Sequence, residues 1–510
     1  MNRKEDFSNQ INEGYTFKGD FITIGGAILD NEVLPNTYVN IPLKTLNRHG
    51  LIAGATGTGK TKTIQVLSEQ LSLKGIPVLM MDIKGDFSGI AQPGEEKSFI
   101  TERHQKIGLE YQTKGFPVEL MTISEQNGVR LRATISEFGP VFFSRILDLN
   151  DTQSGVVSVV FKYCDDNSIP LLDIKDFKKV LQYITEEGKA EFTSDYGRIS
   201  TASTGAIFRK VIELEQQGGD LFFGEKSFEI DDLMRFDENG NGYVNVIRLT
   251  DLQDKPKLFS TFMLSLLAEI YNTMPEKGDA EQPELVIFID EAHLIFDQAS
   301  KALLDQIETI VKLIRSKGIG VFFITQNPMD VPSSVLAQLG LKIQHALRAF
   351  TANDRKAIKM SAENYPISEY YKTDEVLTSL GIGEAFVTVL NEKGIPTPLV
   401  ATMLRAPMSR MDILNPAEIS ESISKSKLAK KYNEVIDRES AYEILTKKIE
   451  QAQVIATKEE EKKQKEKEAK KNTRTSSSTS NTVTKGIVKM LTSATFIRGA
   501  MGLLLKMMKK

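Results

Sequence analysis

Cysteine is nearly absent from this chain: Cys164 is the only one in 510 residues. A single thiol forms no internal disulfide, so nothing indicates an oxidising compartment. Histidine is almost as scarce, and His49, His104, His293 and His345 are too scattered to suggest a structural zinc site. No stretch reaches the roughly 20 consecutive apolar residues that span a bilayer. The opening MNRKEDFSNQ has no apolar run behind its basic residues, which argues against a secretory signal. These absences make the cytoplasm the expected location. Residues 473–510 hold seven Lys or Arg and no Asp or Glu. Residues 447–472 add nine Lys against six Glu, and the whole chain carries −4, so residues 1–446 carry −14. So acidic a body is a poor general polyanion binder, and nucleic acid would have to meet a locally basic track or the tail.

What is present is an ordinary globular composition, 41% hydrophobic and 26% charged, long enough for two or three domains' worth of core. Residues 1–48 hold short strand-like pieces such as 21–24 and read as an N-terminal β segment. A first core part covers 49–136. In it Leu51, Ile52 and Ala53 form a short apolar run, 54–61 a loop, and 63–73 an apolar pattern at helical spacing. Residues 77–82 read as a second buried strand, and 118–123 and 131–135 as further strands around a turn at Asn127-Gly128. From 137 to 283 the pattern is mainly that of amphipathic helices, including 140–147, 154–163, 176–184 and 260–271, which makes this a helical insertion. A second core part, 284–410, has strands at 285–289, 320–325 and 342–347, a helix at 302–316, and a hairpin of 383–390 with 397–403. Residues 411–472 suit a charged helix or linker, and 473–510 a flexible basic tail.

The chemistry concentrates at two places. Gly54-Ala55-Thr56-Gly57-Thr58-Gly59-Lys60-Thr61 fits G-x-x-x-x-G-K-[ST] in full. Its glycines let backbone N–H groups converge on phosphate oxygens, Lys60 meets the β/γ charge, and the Thr61 hydroxyl can ligate Mg2+. The helix that follows directs its positive end at the same anion, and Thr63 in its first turn joins the expected nucleotide-binding set. Five apolar residues then lead into Asp290-Glu291-Ala292-His293. A buried parallel strand delivers its C-terminal end to the sheet edge where nucleotides bind. Asp290 there suits a Mg2+ held through water, and Glu291 suits polarisation of the attacking water. The chain therefore reads as an ATP hydrolase that uses Mg2+.

Four further positions keep two readings each. Gln326, ending the 320–325 strand, either senses a γ-phosphate or caps a turn before Asn327-Pro328. Asp82 either supports the site or caps a helix. One phosphate loop and one core sheet leave no second motor domain to close over the nucleotide, so an arginine neutralising the transition state would come from a neighbouring subunit. Arg315 in LIRSKG and Arg348 in HALRAF are the candidates, and each also reads as a surface ion-pair residue. The inference points to a ring.

At these residues the sequence resembles the HerA/FtsK superfamily of RecA-like translocases, and most closely the bacterial YjgR-like group of HerA-type ATPases. The resemblance lies in NRHGLIAGATGTGKT, DIKGDFSGIA, IDEAHLIF, LIRSKGIGVFFITQNP, QHALRAFTANDRKAIK and GIGEAFVTVLNEKG, and covers about residues 46–405. It implies hexameric assembly, ATP and Mg2+ as cofactors, and movement along DNA. The expected fold is α/β: a RecA-like P-loop NTPase core, a parallel sheet in the order 5-1-4-3-2, and a large helical insertion between its second and third core strands. The expected function is a ring-forming DNA translocase or helicase. The alternative is a nucleotide-switched assembly or scaffold ATPase acting on protein or membrane partners, which the acidic body favours.

The tail at 485–510 mixes apolar residues with six cations and reads as a helix that docks a partner, as an anchor on a membrane surface or anionic polymer, or as a segment without fixed structure. Deleting 473–510 is expected to leave ATP hydrolysis largely intact while changing co-sedimentation with membranes or partner proteins. Loss of all hydrolysis on truncation would instead assign the tail to the core or to the ring interface.

Overall fold

In chain order the strands are β1 (Phe21–Leu29), β2 (Glu32–Pro42), β3 (Gly50–Ala53), β4 (Val78–Asp82), β5 (Val118–Thr122) and β6 (Val129–Arg130). They continue with β7 (Val244–Arg248), β8 (Leu285–Ile289), β9 (Ile319–Thr325), β10 (Leu341–His345), β11 (Glu384–Thr388) and β12 (Val400–Leu404). The computed structural model describes residues 3–472 apart from 279, 297–300, 435 and 437, so the tail at 473–510 lies outside the described residues. All twelve strands join one sheet in the order β2-β1-β12-β11-β10-β3-β9-β8-β4-β7-β5-β6. Its centre, β10-β3-β9-β8-β4, is parallel and is the expected 5-1-4-3-2 arrangement. Every residue of β3, β4, β8 and β9 is buried, as parallel strands covered on both faces require.

The first 48 residues depart from a simple β segment. They begin with α1 (Arg3–Gly14), a polar helix whose buried apolar residues are only Phe7 and Ile11. Two apolar residues one turn apart give little periodicity to read, but the Phe7 ring is held edge-on at 5.0 Å from Tyr370 and 5.8 Å from Tyr371. The strands that follow, β1 and β2, pair antiparallel, and β1 also pairs antiparallel with β12. Strands β11 and β12 form the expected antiparallel pair.

The insertion between β4 and β8 is helical but also feeds the sheet. Helices α4 (Ile135–Ile146), α5 (Asp151–Asp166) and α6 (Ile174–Thr185), which follow α2 (Lys60–Leu73) and α3 (Ser98–Ile107), each start with a reciprocal capping box, from Thr134, Asn150 and Asp173. Their apolar faces meet in an aromatic cluster in which Phe143 lies 4.8 Å from Phe177 and 5.9 Å from Phe223. Strand β7 then slots between β4 and β5, parallel to both. The pattern VNVIR hides it because Asn245 interrupts the apolar run. In the fold that amide is fully buried and donates to Val78 O at 3.1 Å and Leu233 O at 2.8 Å. Strand β6 is Val129–Arg130 and not the expected 131–135, Ile135 instead starts α4, and β5 and β6 pair parallel.

The chain divides into two units, Met1–Leu445 and Thr446–Lys510. The first extends past the expected end of the core at 410: helices Pro416–Lys425 and Lys427–Tyr432 belong to it, and Tyr432 is fully buried. In the second, the helix that ends at Asn472 exposes every residue from 451 to 467. Among the described residues no helix is long and apolar enough to cross a membrane.

One buried acid ties α2 to the segment after β12. Glu69 accepts from Met408 N–H at 2.8 Å and from Ser409 N–H at 3.0 Å, and also from the Ser409 hydroxyl. Burial outweighs these bonds and pushes its pKa from 4.5 to about 7. Between those values the native state keeps a proton that the unfolded chain has released, so this group makes stability fall as pH rises through that window. Glu69→Gln removes the titration. Thermal melts from pH 4.5 to 7 should therefore show the variant gaining on the parent with pH, by up to about 3 kcal/mol at about 1.4 per unit. A difference that does not change with pH would take Glu69 out of the account.

Candidate functional site

Strand β3 ends at Ala53 and α2 starts at Lys60, so the glycine-rich residues make a loop at the C-terminal end of the sheet's central strand. Gly54, Gly57 and Gly59 have φ of 153°, 77° and 111°, a region that side chains disfavour. At Gly54 the approach is also close: a Cβ there would lie 2.5 Å from His345 Cβ. The Lys60 ammonium arches back over the loop, donating to Gly54 O at 2.5 Å and Ala55 O at 3.1 Å. Burial lowers its pKa to about 8, helped by Lys84 and opposed by Glu291 and Asp290. Thr58 is turned inward and donates to Ala55 O at 2.7 Å. The Thr63 hydroxyl is likewise engaged inside the protein, 3.2 Å from Gly59 O and 2.9 Å from His345 Nε2.

Facing the loop are the ends of β8 and β4. Asp290 is 4% exposed, and burial raises its pKa to about 6 although Lys84 opposes the shift. Glu291 takes a left-handed φ of 48° as the chain leaves the strand, and Ala292 N–H fixes that turn on Ile324 O at 2.8 Å. The Glu291 carboxylate is ion-paired with Lys84 and lies 3.1 Å from His293 Nδ1. Lys84 is in position because Asp82 anchors its turn, accepting N–H bonds from Gly85 at 2.7 Å, Asp86 at 3.1 Å and Phe87 at 3.3 Å. Asp82 is thus the anchor of a turn and not the cap of a regular helix. Burial, reinforced by Asp86, pushes its pKa to about 7. Gln326, just past β9, accepts from Thr56 Oγ1 at 3.2 Å and so reaches the loop.

These residues fit a magnesium nucleotide. The Thr61 hydroxyl donates to Asp86 Oδ2 at 3.0 Å, and the other Asp86 oxygen is buried without a hydrogen-bond partner. No cluster of three His, Cys, Asp or Glu side chains among the described residues could hold a metal by itself. A hydroxyl, one or two carboxylates and phosphate oxygens are what Mg2+ takes in phosphoryl-transfer sites. Lys84 and Asp86 escaped sequence reasoning, because only the fold brings the β4 turn against Thr61 and Glu291.

The two arginine candidates separate. Arg348, beyond the end of β10, is exposed on the same sheet end as the loop, with its guanidinium 3.5 Å from Thr378 O. Arg315 precedes β9 and so lies at the opposite end. There it lines a cavity of about 610 Å3 together with Arg48, Lys312 and Lys342, and no carboxylate side chain lines that cavity. Arg48 was not singled out in the sequence, since it sits in no phosphate-binding pattern.

Comparison with known proteins agrees with this fold. The bacterial conjugative coupling protein TrwBdeltaN70 superposes with a TM-score of 0.52 at 14% identity, covering 80% of this chain and 94% of that one, and so shares the fold. The DNA double-strand break repair helicase HerA of Sulfolobus acidocaldarius is 22% identical over 383 residues, covering 74% of this chain and 69% of the relative. The DNA import protein CedB of the same organism is 23% identical over 397 residues, covering 77% of this chain and 58% of the relative. The chain spans about two thirds of the length of the HerA relatives it matches, at 69%, 64% and 64%. A family model described as helicase HerA-like C-terminal matches residues 28–505, and the chain belongs to that family, within the HerA/FtsK superfamily of P-loop ATPases.

Proposed function

We propose that this chain hydrolyses ATP in a head-to-tail ring, most simply a hexamer, and couples the cycle to movement along DNA. The observation that carries the reading is the opposition of the two sheet ends, with the phosphate loop at one and the cavity of Arg48 and Arg315 at the other. A subunit can then offer its cations to the nucleotide held by a neighbour, and heterologous contacts of this kind close into rings. DNA as the track is supported by the descriptions of two curated relatives, a DNA repair helicase and a DNA import protein.

Within one subunit the N–H groups of residues 54–59 cradle the phosphates, and Lys60 neutralises β/γ charge. Thr61 and Asp290 would hold Mg2+, which supplies charge neutralisation between the phosphate oxygens when bound. Glu291 polarises the attacking water, Gln326 responds to the γ-phosphate through the loop, and Arg315 of the adjacent subunit stabilises the transferring group, with Arg348 as the other candidate. The net charge of −14 on residues 1–446 favours a second reading, a nucleotide-switched assembly ATPase acting on protein or membrane partners. Turnover that rises on adding DNA supports the motor, and turnover indifferent to DNA supports the switch.

Glu291→Gln is expected to bind ATP normally and to lose turnover by about 100-fold or more, the usual scale for removing a proton acceptor. Lys60→Ala should weaken binding itself. Wild-type turnover in purified Glu291→Gln protein would exclude Glu291 from the chemistry.

The shared site is tested by mixing. Glu291→Gln and Arg315→Ala proteins should each be nearly inactive alone and recover activity together, because some junctions then join an intact glutamate to an intact arginine. Repeating the mixture with Arg348→Ala tells the two arginines apart, since only the residue acting across the junction gives recovery. A protein that stays monomeric by light scattering with ATP and Mg2+ yet turns over at full rate would falsify the ring.

A further inference from the structure

His49 ends the turn at 43–48 and immediately precedes β3. The residue is buried, yet its backbone takes φ 59° and ψ 171°, a conformation that belongs essentially to glycine. A glycine would sit there without strain, so what the strain secures is the ring. Nδ1 accepts from Val321 N–H on β9 at 3.1 Å, which leaves the ring proton on Nε2, and Nε2 donates to Val311 O at 2.8 Å. Burial lowers the imidazole pKa to about 4; the bond to Val311 opposes the shift and the charge of Arg315 adds to it. The ring is therefore neutral near pH 7 and held in one tautomer. Val311 stands in the last turn of the helix Lys301–Ile314, and Arg315 is the next residue of the chain. Asn47, from the same turn as His49, donates its side-chain amide to Arg315 O at 3.5 Å.

These contacts gather at the sheet end opposite the phosphate loop, where His49 and Arg315 line the same cavity. A guanidinium presented from the end of a helix goes where the last turn goes. We propose that His49, with Asn47, is a positioning residue for Arg315, fixing the helix end that offers the guanidinium to the nucleotide of the neighbouring subunit. The proposal rests on the shared-site reading and deepens it. His49 thus acts in trans although it leads into the strand that launches its own phosphate loop. Releasing Val311 O lets the last turn drift, and a misplacement of about 1 Å costs a transition-state contact about 100-fold. The charge of Arg315 is untouched by such a change, so the loss is one of placement alone. The phosphate loop, at the far end of β3, keeps its own contacts, so ATP binding is spared.

The test uses two substitutions in the full chain. His49→Asn keeps an acceptor where Nδ1 stood and loses the reach to Val311, whereas His49→Gln puts an amide N–H where Nε2 stood. His49→Asn is expected to bind ATP with the parent's affinity and to turn over about 10- to 100-fold more slowly, and His49→Gln to turn over at least about tenfold faster than His49→Asn. In mixtures His49→Asn should regain activity with Glu291→Gln, whose Arg315 is well placed, and not with Arg315→Ala, because every junction then lacks a placed arginine. Where His49→Asn does not fold, Asn47→Ala, which removes the side chain that holds Arg315 O, takes its place in the mixtures with the same outcomes expected. Parent turnover or weakened ATP binding in the substituted protein, recovery with Arg315→Ala, or a His49→Gln protein as slow as His49→Asn overturns the positioning role and leaves the shared site standing. Failure of Arg315→Ala and Glu291→Gln to restore each other overturns Arg315 as the shared arginine, and the positioning role with it.

Discussion

Two ammonium groups, Lys60 and Lys84, and three carboxylates, Asp82, Asp290 and Glu291, converge at one end of the sheet, where burial makes every uncompensated charge expensive. They neutralise one another in part, which is why Lys84 carries a raised pKa despite its burial. The remaining strain is visible in Asp82 and Asp290, both held well above the ordinary aspartate range. A magnesium nucleotide changes that balance, bringing anionic oxygens to the lysines and a dication to the carboxylates. The rest of the molecule serves this arrangement. Parallel pairing of β3, β9, β8 and β4 puts the strand ends side by side, and their buried flanks fix the distances between them.

The parts legible in the sequence were those whose chemistry is local. Residues 54–61 need a strand before, a helix after and glycines between, all adjacent in the chain, and Asp290-Glu291 needs only an apolar strand ahead of it. The order of the five core strands is what the resemblance to RecA-like translocases implies, and the sheet has it. What could not be read depends on partners far away in sequence. Lys84 matters because it meets Glu291, more than 200 positions later. Strand β7 is a strand because Asn245 finds a carbonyl on β4, and α1 is a helix whose two apolar contacts are supplied by distant elements. Arg315 and Arg348 were equivalent as sequence, and only the direction of the strands beside them put one at each end of the sheet.

Charge follows the same division. Residues 1–446 carry a net −14, yet Arg48, Lys312, Arg315 and Lys342 share the lining of one cavity. Composition averages such a feature away. An anionic group meeting this molecule is repelled by most of it and admitted at a few places, which gives specificity more than affinity.

The placement of β3 between β9 and β10 also governs how the protein comes into being. The strand that launches the phosphate loop is synthesised by residue 53, but neither of its sheet neighbours begins before residue 319. At a translation rate of about 5–20 residues per second, that strand waits roughly 13–53 s on the ribosome with both edges unpaired. The same holds at the amino end, where β1 cannot meet β12 until residue 400 has been made. The nascent chain therefore carries β3 and one edge of β1 unpaired through much of its synthesis, and its yield in a cell depends on shielding of those edges as well as on the stability of the finished sheet.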